Sequence, residues 1–121
     1  MLNFNSILVF SENPSALAAF YEKVFQKEPD WNEGGYTGFM LGGAAITIGP
    51  HDKVTGKSQN PERIMFNFET EDVQGEFDRI KELGAEIIAE PYGFEEGEEG
   101  KIATFADPDG NYFQLMTPMK P

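Results

Sequence analysis

The sequence predicts an α+β fold made of two βαβββ modules, which form a curled mixed sheet around a central cavity with the helices on the outer face. Three observations support this. A strand, a helix and three short strands follow one another twice along the chain, apolar residues recur at helical spacing in both helical segments, and glycine-rich turns separate the short strands. The halves share little sequence identity, so the repeat is one of element order.

The length of 121 residues predicts a single domain covering 1–121. Its half-modules are expected at about 1–50 and 62–121. A linker at about 50–61, PHDKVTGKSQNP, is polar and contains proline and glycine, as connecting segments do.

The composition excludes several classes of function. Nine Lys and Arg residues against 21 Asp and Glu give a net charge of -12, which opposes binding to nucleic acid or to anionic membranes. The chain has no cysteine, so disulfides, thiolate metal sites and cysteine nucleophiles are excluded. No signal peptide or long apolar run is visible, and a cytoplasmic location is expected.

In the first half, the apolar run Ser6–Phe10 predicts a buried strand. Asn13 suits a helix N-cap and Pro14 the first helical position. The helix should end before Pro29. Its apolar stripe consists of Leu17, Phe20, Tyr21, Val24 and Phe25. Strands are then predicted at 29–32, 36–41 and 44–48, separated by glycine pairs typical of hairpin turns.

The second half repeats this order. A strand is predicted at 63–68, Asp72 is a candidate N-cap, and Gly84 suits the position just after a helix. The helical spacing is carried by Val73, Phe77, Ile80 and Leu83. Three further strands are predicted at 86–90, 101–106 and 111–116, with turns at 91–100 and 107–110.

Four segments together resemble the vicinal-oxygen-chelate superfamily, which includes glyoxalase I, bleomycin-resistance proteins, fosfomycin-resistance enzymes and extradiol dioxygenases. They are NPSALAAFY at 13–21, FETEDV at 68–73, LGAE at 83–86 and FADPDGN at 105–111. They occur in the right order over almost the whole chain. The resemblance implies the paired βαβββ fold already predicted.

Enzymes of this superfamily typically chelate a divalent metal with His, Glu or Gln side chains from the first and fourth strands of each half. The matching registers place Ser6, Thr47, Met65 and Gln114 at these positions. Only Gln114 is a suitable ligand, because Ser, Thr and Met bind catalytic divalent metals poorly. We therefore expect no metal site and no cofactor, and the resemblance is to the metal-free, bleomycin-resistance-like branch.

Strand alternation assigns the predicted ligand pocket, and a slip of one residue would exchange the two faces. The pocket residues in the cavity are aromatic, sulfur-containing or sparsely polar, which suits a planar or flexible organic ligand. They are Phe10, Trp31, Tyr36, Met40, Thr47, Met65, Asn67, Tyr112, Gln114 and Met116. In the alternative interpretation these residues only fill a second core.

Three other candidate sites have simpler explanations. His51, the only histidine, falls in the polar linker, where a solvated loop residue is expected. The acidic run 95–100 lacks the spacing of a calcium-binding loop and is interpreted as a mobile, solvated loop, which in the superfamily that the chain resembles can border the pocket. Asp107 and Asp109 lie in a Pro-Gly setting that favours a turn over acid-base chemistry.

The sequence thus predicts a metal-independent protein that binds a small organic molecule, cationic or aromatic, and the resemblance implies a homodimer. Catalytic residues are not assigned. One alternative is a glyoxalase-like lyase or isomerase that keeps Gln114 and recruits a displaced carboxylate such as Glu69 or Glu71. Another is an accessory domain acting through its surface.

Overall fold

The computed structural model describes residues 1–93 and 100–118. Its contacts divide the chain into two compact units, Met1–Gly56 and Lys57–Pro121, and the division falls within the polar segment 50–61. Each unit contains one strand, one helix and three further strands that form a four-stranded mixed sheet. The predicted α+β class with two βαβββ modules is confirmed.

The first unit contains β1 (Ser6–Phe10), α1 (Pro14–Phe25), β2 (Trp31–Glu33), β3 (Tyr36–Leu41) and β4 (Ala44–Gly49). Its sheet, called sheet 1 below, has the order β1-β4-β3-β2. β1 and β4 are parallel because α1 carries the chain back across the sheet, whereas the glycine turns join β2, β3 and β4 as antiparallel neighbours.

Helix α1 begins where the sequence predicts. The Asn13 side chain accepts a hydrogen bond from the backbone N–H of Ala16 at 3.4 Å, and Pro14 occupies the first turn. The helix ends at Gln26, which has left-handed backbone geometry, before Pro29. The buried side chains of α1 are Leu17, Ala18, Tyr21 and Val24. This stripe covers one face of sheet 1, where Phe25 and Phe39 meet edge to face at 5.3 Å.

The second unit contains β5 (Phe66–Glu69), α2 (Val73–Glu82), β6 (Glu86–Gly93), β7 (Lys101–Ala106) and β8 (Tyr112–Met116). Sheet 2 has the order β5-β8-β7-β6, the same arrangement as sheet 1. Asp72 caps α2 by accepting from the Gly75 N–H at 2.9 Å, and Gly84 follows the helix with φ +88. Under α2, Phe105 stacks on Phe77 at 5.0 Å and on Phe113 at 5.6 Å.

Some strand limits differ from the predictions. β5 begins at Phe66, whose partner on β8 is Phe113, so Met65 precedes the strand. β2 begins at Trp31 and extends to Glu33. β6 continues to Gly93, through register shifts that accommodate Pro91, which has no N–H for a regular ladder.

The glutamates of the predicted acidic loop, Glu95, Glu96, Glu98 and Glu99, lie outside the described residues. Over the described part of the chain, neither helix is long and apolar enough to cross a membrane.

Candidate functional site

Each sheet has one face covered by its own helix and a second face, called here the helix-free face. On β1, Val9 is buried on the helix side, so the alternating residues Ser6, Leu8 and Phe10 lie on the helix-free face. Cross-strand pairing extends this face in rows. One row runs from Leu8 to Thr47, Gly38 and Trp31. In the next row Phe10 pairs with Gly49, and the Tyr36 side chain lies over Gly49.

Two aromatic rings lie flat on the helix-free face of sheet 1. A Cβ atom at Gly38 would overlap the Trp31 indole, and one at Gly49 would overlap the Tyr36 ring. Glycine is required at both positions because the ring occupies the volume that a side chain would fill. The rings therefore rest directly on the backbones of β3 and β4.

This face also exposes apolar surface. The exposed fractions are 57% for Leu8, 39% for Trp31, 37% for Tyr36 and 43% for Met40. Phe10 lies beside these rings and contacts His51 edge to face, with ring centroids 5.1 Å apart. Aromatic surface of this kind, adjacent to a few polar groups, is typical of sites that hold planar organic molecules.

An ion pair fixes the end of this face next to Met40. The Lys27 ammonium lies 2.8 Å from the Asp30 carboxylate. Asp30 also accepts the backbone N–H of Met40 at 2.7 Å, and Lys27 donates to the Met40 carbonyl at 2.8 Å. The hydrogen bonds from Lys27 and from the Met40 N–H lower the pKa of Asp30 below its ordinary value. Both backbone polar groups of Met40 are thus paired by side chains at the point where β2 begins.

The central row of the helix-free face of sheet 2 carries polar side chains on β5, β8 and β7. Asn67 pairs with Gln114 across β5 and β8, and Gln114 pairs with Thr104 across β7 and β8. The Gln114 amide donates to the Thr104 hydroxyl at 3.1 Å, and Thr104 is 4% exposed. This hydrogen bond orients the Gln114 side chain. Glu69 lies on the same face, opposite Met116.

The predicted pocket residues fall into two groups. Phe10, Trp31, Tyr36, Met40 and Thr47 lie on the helix-free face of sheet 1. Asn67, Tyr112, Gln114 and Met116 lie on that of sheet 2. Met65 lies on neither sheet, since it precedes β5. A binding role for these residues stays a prediction.

Sequence reasoning missed three residues that shape these faces: Gly38, Gly49 and Thr104. Gly38 could have been indicated by its place inside β3 between aromatic residues, because a glycine inside a strand often marks a close approach. Gly49 ends β4, which has no aromatic residue, so the sequence does not distinguish it from a turn glycine. Nothing in the sequence distinguishes Thr104 from other strand threonines. Its role depends on Gln114 being its cross-strand neighbour.

The metal positions implied by the resemblance can be compared with the observed registers. Thr47 pairs with Leu8 and not with Ser6, and Gln114 pairs with Asn67 and not with Met65. Leu8 has no donor atom and the Thr47 hydroxyl is a poor ligand, so the amides of Asn67 and Gln114 are the donors left at these positions, fewer than the three or four strong ligands of a catalytic divalent site. Across 1–93 and 100–118, no three His, Asp or Glu side chains converge on one point. These residues do not fit a chelated catalytic metal.

The other polar candidates lie in turns. The His51 ring accepts the backbone N–H of Lys53 at 3.1 Å, in the segment after β4. Asp107 is buried, and its carboxylate accepts the backbone N–H groups of Asp109 and Asn111 at 2.9 and 3.0 Å. The carboxylate therefore closes the β7–β8 turn, as expected for aspartate in this setting.

Two βαβββ units, each pairing its first strand in parallel with its last, define a protein of the glyoxalase fold class. The chain belongs to the family described as the glyoxalase-like domain, whose model matches residues 6–116. No curated protein matches the chain significantly.

Solved structures share this fold. A glyoxalase-related enzyme from Fulvimarina pelagi superposes with a TM-score of 0.78 at 16% identity, covering 98% of this chain and 89% of that one. A glyoxalase/bleomycin resistance protein/dioxygenase family enzyme from Burkholderia phytofirmans PsJN gives 0.76 at 19%, covering 98% and 100%. The fosfomycin resistance protein FosX from Listeria monocytogenes gives 0.67 at 25%, covering 98% and 93%.

Proposed function

We propose that this glyoxalase-like domain is a small-molecule-binding protein that holds a planar organic molecule, aromatic or cationic, on the helix-free face of sheet 1 and acts without a bound metal. The observation that carries the proposal is the pair of rings, Trp31 over Gly38 and Tyr36 over Gly49. Their outward faces are available for stacking.

Charge and surface chemistry support this ligand class. Stacking on an indole or phenol contributes about 0.5–1.5 kcal/mol beyond area burial, and a cation over the same rings adds about 0.5–1 kcal/mol at exposed sites. The net charge of -12 favours cations over anions. Neighbours whose names include bleomycin resistance protein belong to the same fold class.

Trp31 is the single tryptophan, so its fluorescence reports on this face directly. Planar aromatic cations and uncharged aromatics of matched size would be titrated while its emission and the melting temperature are followed. A ligand at 100 times its Kd should stabilise the fold by about 2.7 kcal/mol. Trp31→Ala should abolish this stabilisation.

The matched control is Ile64→Ala, which removes an apolar side chain of larger exposed fraction, 64%, in the second unit. It should leave ligand-induced stabilisation intact. Equal stabilisation of wild type and Trp31→Ala by every ligand would contradict the assignment to sheet 1. One tightly held Zn²⁺, Ni²⁺, Mn²⁺ or Fe²⁺ per purified chain would contradict metal independence.

A second candidate is a glyoxalase-like lyase or isomerase, and the position of Glu69 favours it. This carboxylate lies on the same helix-free face as Asn67, two residues along β5, and Asn67 pairs with Gln114. Turnover of the methylglyoxal-glutathione adduct that disappears in both Gln114→Ala and Glu69→Gln would support the enzyme. Turnover unaffected by either substitution would contradict it.

The proposal also includes a homodimer in the cytoplasm. Sedimentation equilibrium checks the assembly, and a mass of one chain, 13.5 kDa, at all concentrations would contradict it. Fractionation of the cells that produce the protein checks the location.

A further inference from the structure

A cleft of about 230 Å³ lies in the first unit, on the side of sheet 1 that α1 covers. It opens between the stretch of α1 from Pro14 to Glu22 and the hairpin formed by β2 and β3. It is separate from the aromatic face, because Asn32 and Thr37 alternate with Trp31 and Tyr36 along their strands. The lining residues are Pro14, Ser15, Ala18, Ala19, Glu22, Pro29, Asn32, Gly35 and Thr37.

The cleft exists because small side chains face each other there. The short side chains of Ala18 and Ala19 leave space between α1 and the edge strand β2, and Gly35 has no side chain to fill the turn between β2 and β3. Pro29 completes the apolar part of the lining. Ligand pockets for drug-sized molecules measure about 300–1,000 Å³, so this cleft suits a smaller molecule.

Polar groups line the rest of the cleft. Glu22 is the single ionisable side chain in the lining, and Ser15, Asn32 and Thr37 add two hydroxyls and an amide. Within residues 1–93 and 100–118, the side chains of these four residues form no hydrogen bond or ion pair. Their lone pairs are therefore available to a ligand that donates hydrogen bonds.

We propose that this cleft binds a small organic cation, an alkylguanidinium or alkylammonium. The head group pairs with the Glu22 carboxylate and donates to Asn32 and Thr37, and the alkyl stem packs on Ala18 and Ala19. Glu22 lies seven residues, roughly 10 Å, beyond Ser15 along the helix, so the cation is far from the partial positive charge of the α1 N-terminus. This site is independent of the ligand proposed for the aromatic face.

Amide chemical shifts of the isotopically labelled full chain provide the test. n-Butylguanidinium and n-butylammonium would be titrated, with n-butanol and butyrate as uncharged and anionic probes. We expect saturable shifts for the two cations at the cleft amides, with Gly38 and Thr47 on the opposite face unaffected. The reporting amides are those of Ala18, Ala19, Asn32, Gly35 and Thr37.

Three variants sharpen the result. Glu22→Gln should weaken cation binding about fivefold, the upper end for an exposed ion pair. Ala19→Met, on the exposed helix surface, should fill the cleft and remove the saturable shifts. Glu82→Gln, which removes an exposed helical carboxylate from α2, should leave the affinity unchanged.

The proposal is overturned if the cations give no saturable shifts at these amides. It is also overturned if n-butanol titrates the same amides with the same midpoint, or if Glu22→Gln binds as tightly as wild type. Shifts at Gly38 and Thr47 in place of the cleft amides would assign the cations to the aromatic face instead, and would equally contradict the cleft site.

Discussion

Equivalent rows of cross-strand neighbours on the two helix-free faces differ in which strand carries the largest side chain. In sheet 1 the row is Leu8, Thr47, Gly38 and Trp31. In sheet 2 the row with the same strand order is Asn67, Gln114, Thr104 and Ala89. The first row puts its largest residue on the edge strand beside a glycine, whereas the second puts a small alanine there beside a threonine.

Because of these residue differences, two sheets with the same strand order present different chemical groups on their helix-free faces. The absent side chain at Gly38 lets the Trp31 ring lie on the backbone and present an aromatic surface. The hydroxyl at Thr104 instead holds Gln114, so that face presents an oriented amide. Repetition of a βαβββ unit therefore fixes the positions of side chains on a sheet, and single residues at those positions decide what the sheet can bind.

The largest effect is expected from Gly38→Val, which places on β3 of sheet 1 a side chain of the same shape as Thr104 on β7 of sheet 2. Its side chain would overlap the Trp31 indole, and relieving such an overlap typically costs about 1–3 kcal/mol. We expect a lower urea midpoint and red-shifted Trp31 emission as the ring moves into water. Gly43→Ala is the control, because a Cβ there meets nothing within 4 Å. Unchanged emission in Gly38→Val would contradict the stacked arrangement.

Thr104→Val tests the corresponding position of sheet 2. The change keeps the shape but removes the hydroxyl that accepts from Gln114. Loss of this partly buried hydrogen bond should lower the free energy of unfolding by about 1 kcal/mol. Urea unfolding measures the change, and Thr104→Ser, which retains the hydroxyl, should recover part of the loss. A valine variant more stable than the serine variant would show that the hydrogen bond contributes little.

The N-caps of the two helices differ in the length of the hydrogen bond that each side chain accepts. Asp72 accepts from Gly75 at 2.9 Å, whereas Asn13 accepts from Ala16 at 3.4 Å. Replacing an N-cap with alanine costs about 0.5–2 kcal/mol, and the shorter bond from a charged acceptor should lie higher in that range. Thermal unfolding of Asp72→Ala and Asn13→Ala would measure both. A larger loss for Asn13→Ala would reverse the expected order.

The smallest expected effect concerns acid stability. Pairing with Lys27 and the Met40 N–H lowers the pKa of Asp30 in the folded state below its unfolded-state value of about 3.9. The stabilisation that the ionised carboxylate provides is therefore complete above that value and is lost as pH falls through the lower folded-state pKa. Asp30→Asn should reduce the loss of stability on acidification below pH 4. Glu28→Gln removes a neighbouring exposed carboxyl and serves as control. An identical pH profile for wild type and Asp30→Asn would contradict the pairing.

Local patterns in the sequence predicted most of the fold. Asn13 and Asp72 cap the two helices as predicted, and Gly84 takes the expected left-handed geometry. These features depend on neighbours a few residues away, so the sequence carries them directly. The limits of β5 and β6 were less well predicted, because they depend on pairing with strands that are distant in the sequence.

The candidate site was predicted less completely than the fold. Alternation placed Thr47 and Gln114 on the helix-free faces, since side chains in a strand alternate regardless of the partner. The cross-strand partners were not predicted from the sequence: Thr47 pairs with Leu8, and Gln114 pairs with Asn67. Parallel strands joined through a helix have no turn to fix their register, so only packing in the tertiary structure sets it.

The sequence by itself determined the order of elements, the caps, the family resemblance and the scarcity of metal-ligating side chains, all of which follow from residue type and short-range spacing. The tertiary structure decided which residues meet across strands. The stacking of Trp31 on Gly38, the Gln114 to Thr104 hydrogen bond and the cleft beside Glu22 each join residues distant in sequence. Such contacts depend on strand pairing and helix packing, which a one-dimensional pattern does not specify.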